Sequence, residues 1–334
     1  MNRPAPLYDI TAIGNAIVDV LAPCDEAFLD RQGLVKGSMQ LVTPEQSHAL
    51  YLAMADQVKA HGVEASGGSA GNTVAGIASL EGRAAYVGKV GTDALGEVFT
   101  NDIRRAGLHF DTAPLAGAPT GRCLINVTPD GQRTMCTSLG AASQLQADDI
   151  NEALIAASSI VYLEGYLFDP APARAAFERA ARLAHQYGRR CAITLSDTFV
   201  VDRWRAPLMA FVEGGADIVL ANEAELLSLF QTDDFESACT ALAQRVEIAA
   251  VTRSEKGSLI VSGGQRIEVP AAPVAQVVDT TGAGDQYAAG FLLGLSRGES
   301  LERCGALGAM AAAEVIAHWG PRPATSLARL AERL

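Results

Sequence analysis

The residues best suited to do chemistry lie near the C-terminus, in "DTTGAGDQYAAG" (279–290), where a polar, glycine-rich turn leads into an apolar helical run. A turn that opens a helix presents free backbone N–H groups, here those of Gly282, Ala283 and Gly284. The helix dipole adds to their pull on negative charge. That arrangement suits a phosphoryl group in transfer. Asp285, at the mouth of the turn, can orient a substrate hydroxyl and accept its proton as the bond to phosphorus forms. Aspartate is equally a favoured helix N-cap, and the turn alone leaves both roles open.

A second glycine cluster, Gly67-Gly68-Ser69-Ala70-Gly71, satisfies the G-x-S-x-G pattern of a hydrolase nucleophile elbow. That reading needs a strand before Ser69 and a histidine and acid afterwards. The preceding "HGVEAS" makes a poor core strand, and His318 falls at the end of an apolar helical run, so a serine hydrolase is a remote alternative. The glycines permit close backbone approach, Ser69 can cap the helix that follows, and Asn72 points to ligand or to solvent. Two nucleotide motifs fail. "GRAAYVGKV" (82–90) has one residue too many for a P-loop and lacks its Ser or Thr, and no G-x-G-x-x-G follows the first strand, where "IGNAIVD" stands.

Both clusters need a scaffold, and the chain supplies an alternating one. Strand-length apolar runs, "AAYVGKV", "SSIVYLEGYL", "RCAITLS", "ADIVLAN" and "IAAVTRS", are interleaved with helical stretches such as 170–188 and 200–213, and helices 284–297 and 300–317 close the chain. This pattern predicts a three-layer α/β/α sandwich around a mostly parallel sheet, with ligands at the carboxyl ends of its strands. One region breaks the alternation. "RCLINVTPDGQRTMCTSL" holds two β-rich runs around Pro129-Asp130-Gly131, a hairpin signal, and "LVKGSMQLV" (34–42) is another short extended piece. They predict a small β-sheet from about 32–43 and 108–138, inserted in one domain of 1–334. It is either a lid over an active site or a structural edge hairpin.

Composition narrows the partner. The 334 residues are 49% hydrophobic, enough for a sizeable core, and a net charge of −12 disfavours nucleic acid and anionic membranes. The most apolar tract, "CGALGAMAAAEVIAHWG", carries Glu314 and falls short of a membrane span of about 20 residues. Six cysteines form no C-x-x-C pair, and with no export leader at the start they read as reduced thiols of a cytoplasmic protein. A small molecule is the expected partner.

Asp279–Asp285 resembles the C-terminal signature of the ribokinase-like (PfkB) family of sugar and nucleoside kinases. Other stretches agree in the family's order. Gly67, Gly68 and Asn72 resemble its glycine-rich substrate motif, and "IGNAIVDV" resembles its first strand, where Asn15 and Asp19 would grip substrate hydroxyls. "ANEAE" resembles its N-x-x-E motif, and "VTRSEKG" the strand and turn beside its ATP site. The likeness spans roughly residues 8–325. It implies Asp285 as catalytic base, Gly282, Ala283 and Gly284 as anion hole, ATP and Mg2+ as cofactors, and possible dependence on a monovalent cation such as K+. Asn222 and Glu225 would stand near magnesium and phosphate, Glu225 acting through water. Read without the family, that pair is a capping-box variant. Thr252, Arg253 and Gly257 would border the nucleotide, Arg253 offering its fork to oxygen, although a surface arginine on a turn fits the same pattern. Arg133 on the lid hairpin reaches for phosphate or is simply exposed, and Lys89 and Asp93 are candidates for a solvated loop.

The resemblance is strongest to the family's bacterial adenosine-kinase-like branch. It implies phosphorylation of a primary hydroxymethyl group on a nucleoside, adenosine first, or on a sugar of the ribose or fructose type; a non-catalytic sensor is the competing class. Glu164 in "YLEGYLF" would hold substrate, with Tyr166 and Phe168 as stacking partners or core residues. The lid strands carry almost no aromatics apart from Phe110 at their margin, so Met39, Leu41 and Met135 would make an apolar cover. Tyr287 stands where the family often has phenylalanine. The oligomeric state, monomer or homodimer, is left open by the sequence.

Overall fold

Short runs rich in Ile, Val and Ala pack well when both faces of a sheet are covered, and such runs form the centre of this molecule. The computed structural model describes residues 6–334, apart from the side chains of His61 and Val63. In chain order the strands are β1 (Tyr8–Ile13), β2 (Ile17–Pro23), β3 (Met39–Leu41), β4 (Val63–Gly67), β5 (Ala84–Val87), β6 (Gly121–Val127), β7 (Arg133–Ser138), β8 (Ser158–Glu164), β9 (Arg190–Thr194), β10 (Ile218–Asn222), β11 (Ile248–Thr252), β12 (Ser258–Ser262) and β13 (Gln265–Val269). The large sheet runs β13-β12-β11-β10-β9-β8-β1-β5, and only β12 runs against the other strands, pairing antiparallel with β11 and β13.

Its two faces separate residue by residue. On β8, Ile160 and Tyr162 enter one core with Ile77, Phe291 and Leu292, while Val161 and Leu163 enter the other with Phe177, Val200 and Leu226. The helices Ser69–Ser79, Ala94–Arg105, Ala283–Ser296 and Leu301–Val315 cover the first face. The helices Ala171–Gln186, Thr198–Gly215, Glu223–Phe230 and Phe235–Ala243 cover the second, giving the expected three layers. Helix Thr198–Gly215 is broken at Trp204 (φ −122°, ψ 23°). The cause is Pro207, which has no N–H to donate and crowds the preceding turn.

The small sheet runs β3-β7-β6-β2-β4. Its hairpin closes at Gly131 (φ +81°), whose N–H reaches Thr128 O at 2.8 Å. One face packs Val18, Val20 and Leu124 against Leu50 and Met54 of helix Pro44–His61. The other gathers Ile17, Cys123 and Ile125 with Leu21, Met135 and Leu139.

This sheet differs from the one expected at 32–43 and 108–138, because it also takes in β2 and β4. The chain leaves the large sheet at Ile13, and "IVD" resumes in the small one, so Asp19 belongs to the small sheet. Residues 108–120 instead follow the main body, where His109 bridges Ala85 and Leu115 bridges Gly91. "VEASG" is a strand after all, but an edge strand, which needs no continuous apolar run.

Candidate active site

Between the two sheets lies a cavity of about 1020 Å³. One arm is walled by β2, β6, β7 and the start of helix Ser69–Ser79, the other by the ends of β10 and β11, the segment after β13 and helix Leu301–Val315. The glycine-rich turn at 280–285 stands where they meet.

In the first arm, glycines create the room. A Cβ on Gly67 would fall 2.2 Å from Asp19 Oδ2, so the Asp19 carboxylate rests directly on this backbone. Gly68 (φ +82°) passes so close to Asn15 that a Cβ would lie 2.3 Å from its carbonyl oxygen; only glycine suits both demands. Gly68, and not Ser69, caps the helix. Ser69 is the first helical residue, and its hydroxyl donates to Asp285 Oδ1 at 2.5 Å, while Asn72 Nδ2 donates to Asp285 Oδ2 at 3.0 Å.

Asp285 itself is no N-cap. Gly282 (φ +80°) caps helix Ala283–Ser296, where a Cβ would strike Pro321 Cα at 2.6 Å, and Asp285 is the third helical residue. Burial pushes its carboxyl above the usual range, against the two donated hydrogen bonds. The nucleophile reading of Ser69 fails on partners, since its hydroxyl is given to a carboxylate and His318 bonds Glu314 Oε2 at 3.2 Å.

Glu164, at the end of β8, is 1% exposed and holds the floor of this arm. Its Oε1 accepts from Asn15 Nδ2 at 2.7 Å and from Asn15 N at 3.4 Å, and its Oε2 from Ala70 N at 2.9 Å. Glu164 therefore positions Asn15, whose Oδ1 has no protein partner. Burial raises both Asp19 and Glu164 to about 7. Tyr166 lines the cavity and donates to Asp197 Oδ2 at 3.4 Å, whereas Phe168 is core, edge-on to Phe177 and Phe211. Met39, Leu41 and Met135 line the cavity as expected. Phe110 packs with Tyr86 and Phe99 in the main core, away from the small sheet.

In the second arm, Asn222 and Glu225 form the full capping box. Glu225 accepts from Asn222 N at 3.0 Å and from Asn222 Nδ2 at 2.7 Å, and Asn222 Oδ1 accepts from Glu225 N at 2.8 Å. Both line the cavity, and burial raises Glu225 to about 7. Thr252 and Gly257 line it too. Gly257 (φ +84°) lies against Val269 O, which an added Cβ would meet at 2.1 Å. Arg253 does not belong with them. Its guanidinium sits 3.9 Å over the Phe235 ring and pairs with Glu223 at 3.3 Å, outside the cavity lining, so the expected fork to nucleotide oxygens is already committed.

Three charged residues also depart from expectation. Arg133 is buried, paired with Asp279 and donating to Thr281 Oγ1 at 3.1 Å, so it ties β7 to the glycine turn. Lys89 is buried against Asp149, and Asp93 caps helix Ala94–Arg105 while accepting from Thr120; neither sits in a solvated loop. Sequence reasoning missed an apolar slot in the second arm, made by Pro273, Val274 and Val277 opposite Ala312, Ala313 and Ile316. The alanine-rich stretch of that helix was a signal for it, masked because small residues also serve helix packing. Arg322 gave no local signal at all.

A family model, the pfkB family carbohydrate kinases, matches residues 35–327. The chain belongs to this family. Its fold is ribokinase-like, and the protein is accordingly a phosphotransferase with an alcohol group as acceptor. It is 51% identical to the adenosine kinase of Sinorhizobium meliloti, covering 98% of this chain and 99% of that one with a TM-score of 0.89. It is 47% identical to a probable sugar kinase from Rhizobium etli, covering 98% of each chain with a TM-score of 0.91. Baker's yeast adenosine kinase is 27% identical over 329 residues, 93% of this chain and 96% of that protein.

Among the described residues no group of three or more His, Cys, Asp or Glu could hold a metal ion. The carboxylate of the second arm's helix start is Glu225, which lines the cavity. Both oxygens of Glu225 are used in the capping box, so contact through water preserves the helix start.

Proposed function

We propose that the chain works as one kinase unit that transfers the γ-phosphoryl group of Mg-ATP to the primary hydroxymethyl group of a nucleoside, with adenosine as acceptor. The observation that carries this is Asp285, held by Ser69 and Asn72 beside a glycine-rich turn that lines the junction of both arms. A Cβ on Gly284 would stand in open space, which leaves room for a phosphoryl group to approach the backbone.

In this reading Asn15 Oδ1 and Asp19 accept the ribose hydroxyls, and Asp285 aligns the 5′-hydroxyl and takes its proton as the oxygen attacks phosphorus. The amides of Gly282 and Gly284 would hold the transferring group and its developing charge, whereas Ala283 N, expected to share that role, donates to Thr280 O at 3.2 Å within the turn. Asn222 and Glu225 would hold magnesium through water, and the ion would supply positive charge against the nucleotide phosphates. The apolar stretch of lining that includes Val274 and Ala312 would take the adenine of ATP.

The nucleoside assignment is supported by the inner face of the small sheet, where Ile17, Cys123, Met135 and Leu139 are apolar. Such a face suits a flat base better than a bare sugar, whose hydroxyls would be left without partners. Similarity to the Sinorhizobium meliloti adenosine kinase supports the same acceptor. Six free cysteines fit a cytoplasmic protein, and no described helix is long and apolar enough to cross a membrane.

The test is product formation from Mg-ATP with separate pools of nucleosides and sugars, read by mass spectrometry. Nucleoside monophosphate supports the proposal. Sugar phosphate would keep the phosphoryl chemistry and overturn the acceptor, and ligand binding with no product from either pool would leave a sensor.

A further inference from the structure

The segment after the last long helix sends one side chain back under the active site. Arg322 donates from Nε to Asn72 Oδ1 at 3.4 Å and from Nη1 to Asp102 Oδ2 at 3.2 Å, and its Nη2 is buried with no protein partner. Its anchor is firm, because Asp102 also accepts from the backbone N–H of Ser66 at 3.1 Å and from the Ser66 hydroxyl. The neighbouring Pro321 carbonyl accepts from Gln286 Nε2 at 2.9 Å, and that same amide donates to Asn72 O at 3.0 Å.

An asparagine amide has an acceptor end and a donor end of nearly the same shape, so its partners decide which way it points. Arginine can only donate. It therefore claims Asn72 Oδ1, and the NH2 is left facing Asp285 Oδ2. The charges facing Asp19 are those of Arg322 and Arg133, which favour its carboxylate, and of Asp285, which opposes it; burial opposes it most, and Arg322 is the largest counterweight. Ser69 and Asn72 are the groups that hold Asp285.

We propose that Arg322 is a positioning residue for the transfer, fixing the Asn72 amide with its donor end on Asp285. It deepens the kinase reading and rests on it. The fork and the charge separate by chemistry: a lysine keeps the charge but not the rigid fork that spans Asp102 and Asn72, and a methionine keeps neither.

The experiment is steady-state kinetics across pH on the full chain, with adenosine and Mg-ATP varied in turn, for wild type, Arg322→Met and Arg322→Lys. Arg322→Met is expected to move the acid limb of kcat/KM for adenosine up by roughly one pH unit, with the KM for ATP unchanged. Arg322→Lys is expected to restore the position of that limb while kcat stays about fivefold or more below wild type, because the amide is no longer held. Superimposable pH profiles, or a lower melting temperature with both KM values moving together, overturn the proposal by reducing Arg322 to a structural tie. If Arg322→Met does not fold, Arg322→Lys decides alone, and a wild-type kcat there overturns it. A wild-type protein that leaves adenosine unphosphorylated overturns the kinase reading and this inference with it; an active wild type with insensitive variants overturns this inference alone.

Discussion

Replacing Asp285 by asparagine exchanges one carboxylate oxygen for an NH2 where both oxygens already accept, from Ser69 Oγ at 2.5 Å and from Asn72 Nδ2 at 3.0 Å. Asn72 cannot turn without breaking its bond to Arg322, so the new amide keeps its oxygen on Asn72. The Ser69 hydroxyl, free to rotate, then accepts from the new NH2. The local geometry survives and only the proton acceptor is lost. General-base catalysis contributes about 10²- to 10⁴-fold, so kcat is expected to fall by that factor, about 3–5 kcal/mol of barrier at 1.36 kcal/mol per decade. ATP affinity by calorimetry should stay within about twofold, since the second arm is untouched. The melting temperature should hold or rise, because burial disfavours the native carboxylate and an amide carries no charge to desolvate. A coupled ADP-release assay supplies kcat. A folded variant that keeps more than about a tenth of wild-type turnover, against the 10²-fold minimum, would refute Asp285 as base; lost turnover together with lost ATP binding would instead mean that the turn had collapsed.

Gly67→Ala places a methyl where Asp19 Oδ2 lies 2.2 Å away; the carboxylate must move, and the KM for the nucleoside should rise about tenfold or more with the KM for ATP unchanged, an unchanged nucleoside KM disproving the grip of Asp19 on substrate. Arg133→Met leaves Asp279 buried with only the N–H groups of Thr281 and Gly320, and urea unfolding should register a loss of about 3–5 kcal/mol; a loss below about 1 kcal/mol, the range of an exposed pair, would count against the buried tie. Asp19, Glu164 and Glu225 are raised to about 7 and Asp285 is raised as well, so kcat/KM should fall as pH drops below about 7. For stability the sign is opposite: the folded state holds these protons more tightly than the unfolded chain, so their stabilising contribution is complete below the unfolded values near 4 and is lost as pH rises through about 7. Between roughly pH 5 and 7 turnover should therefore climb while these groups lower the melting temperature, and a parallel rise of both would contradict the assigned burial.

The parts of this protein that were legible in the sequence are those set by neighbours in the chain. Alternation of apolar runs with helical stretches announced the layered sheet, because a strand buried on both faces must be apolar throughout. The glycines at 282 and 284 announced a turn that opens a helix, and Asn222 with Glu225 a helix start whose cap is made within four residues. Each depends on backbone geometry over one or two turns, which side-chain type and spacing control directly.

What only the tertiary structure decided is which of these pieces meet. Ser69 and Asn72 reach Asp285 across 216 and 213 residues of chain. Asp19 crosses to the small sheet because β2 pairs with β4 and β6 instead of continuing β1, a choice of hydrogen-bonding partner that its own residues do not encode. Arg253 turned from the cavity to Phe235 and Glu223, while Arg322, with no motif around it, turned inward to Asn72. A long charged side chain has several staggered bonds and reaches in many directions, so its destination is set by the distant acceptors and rings that packing brings within range.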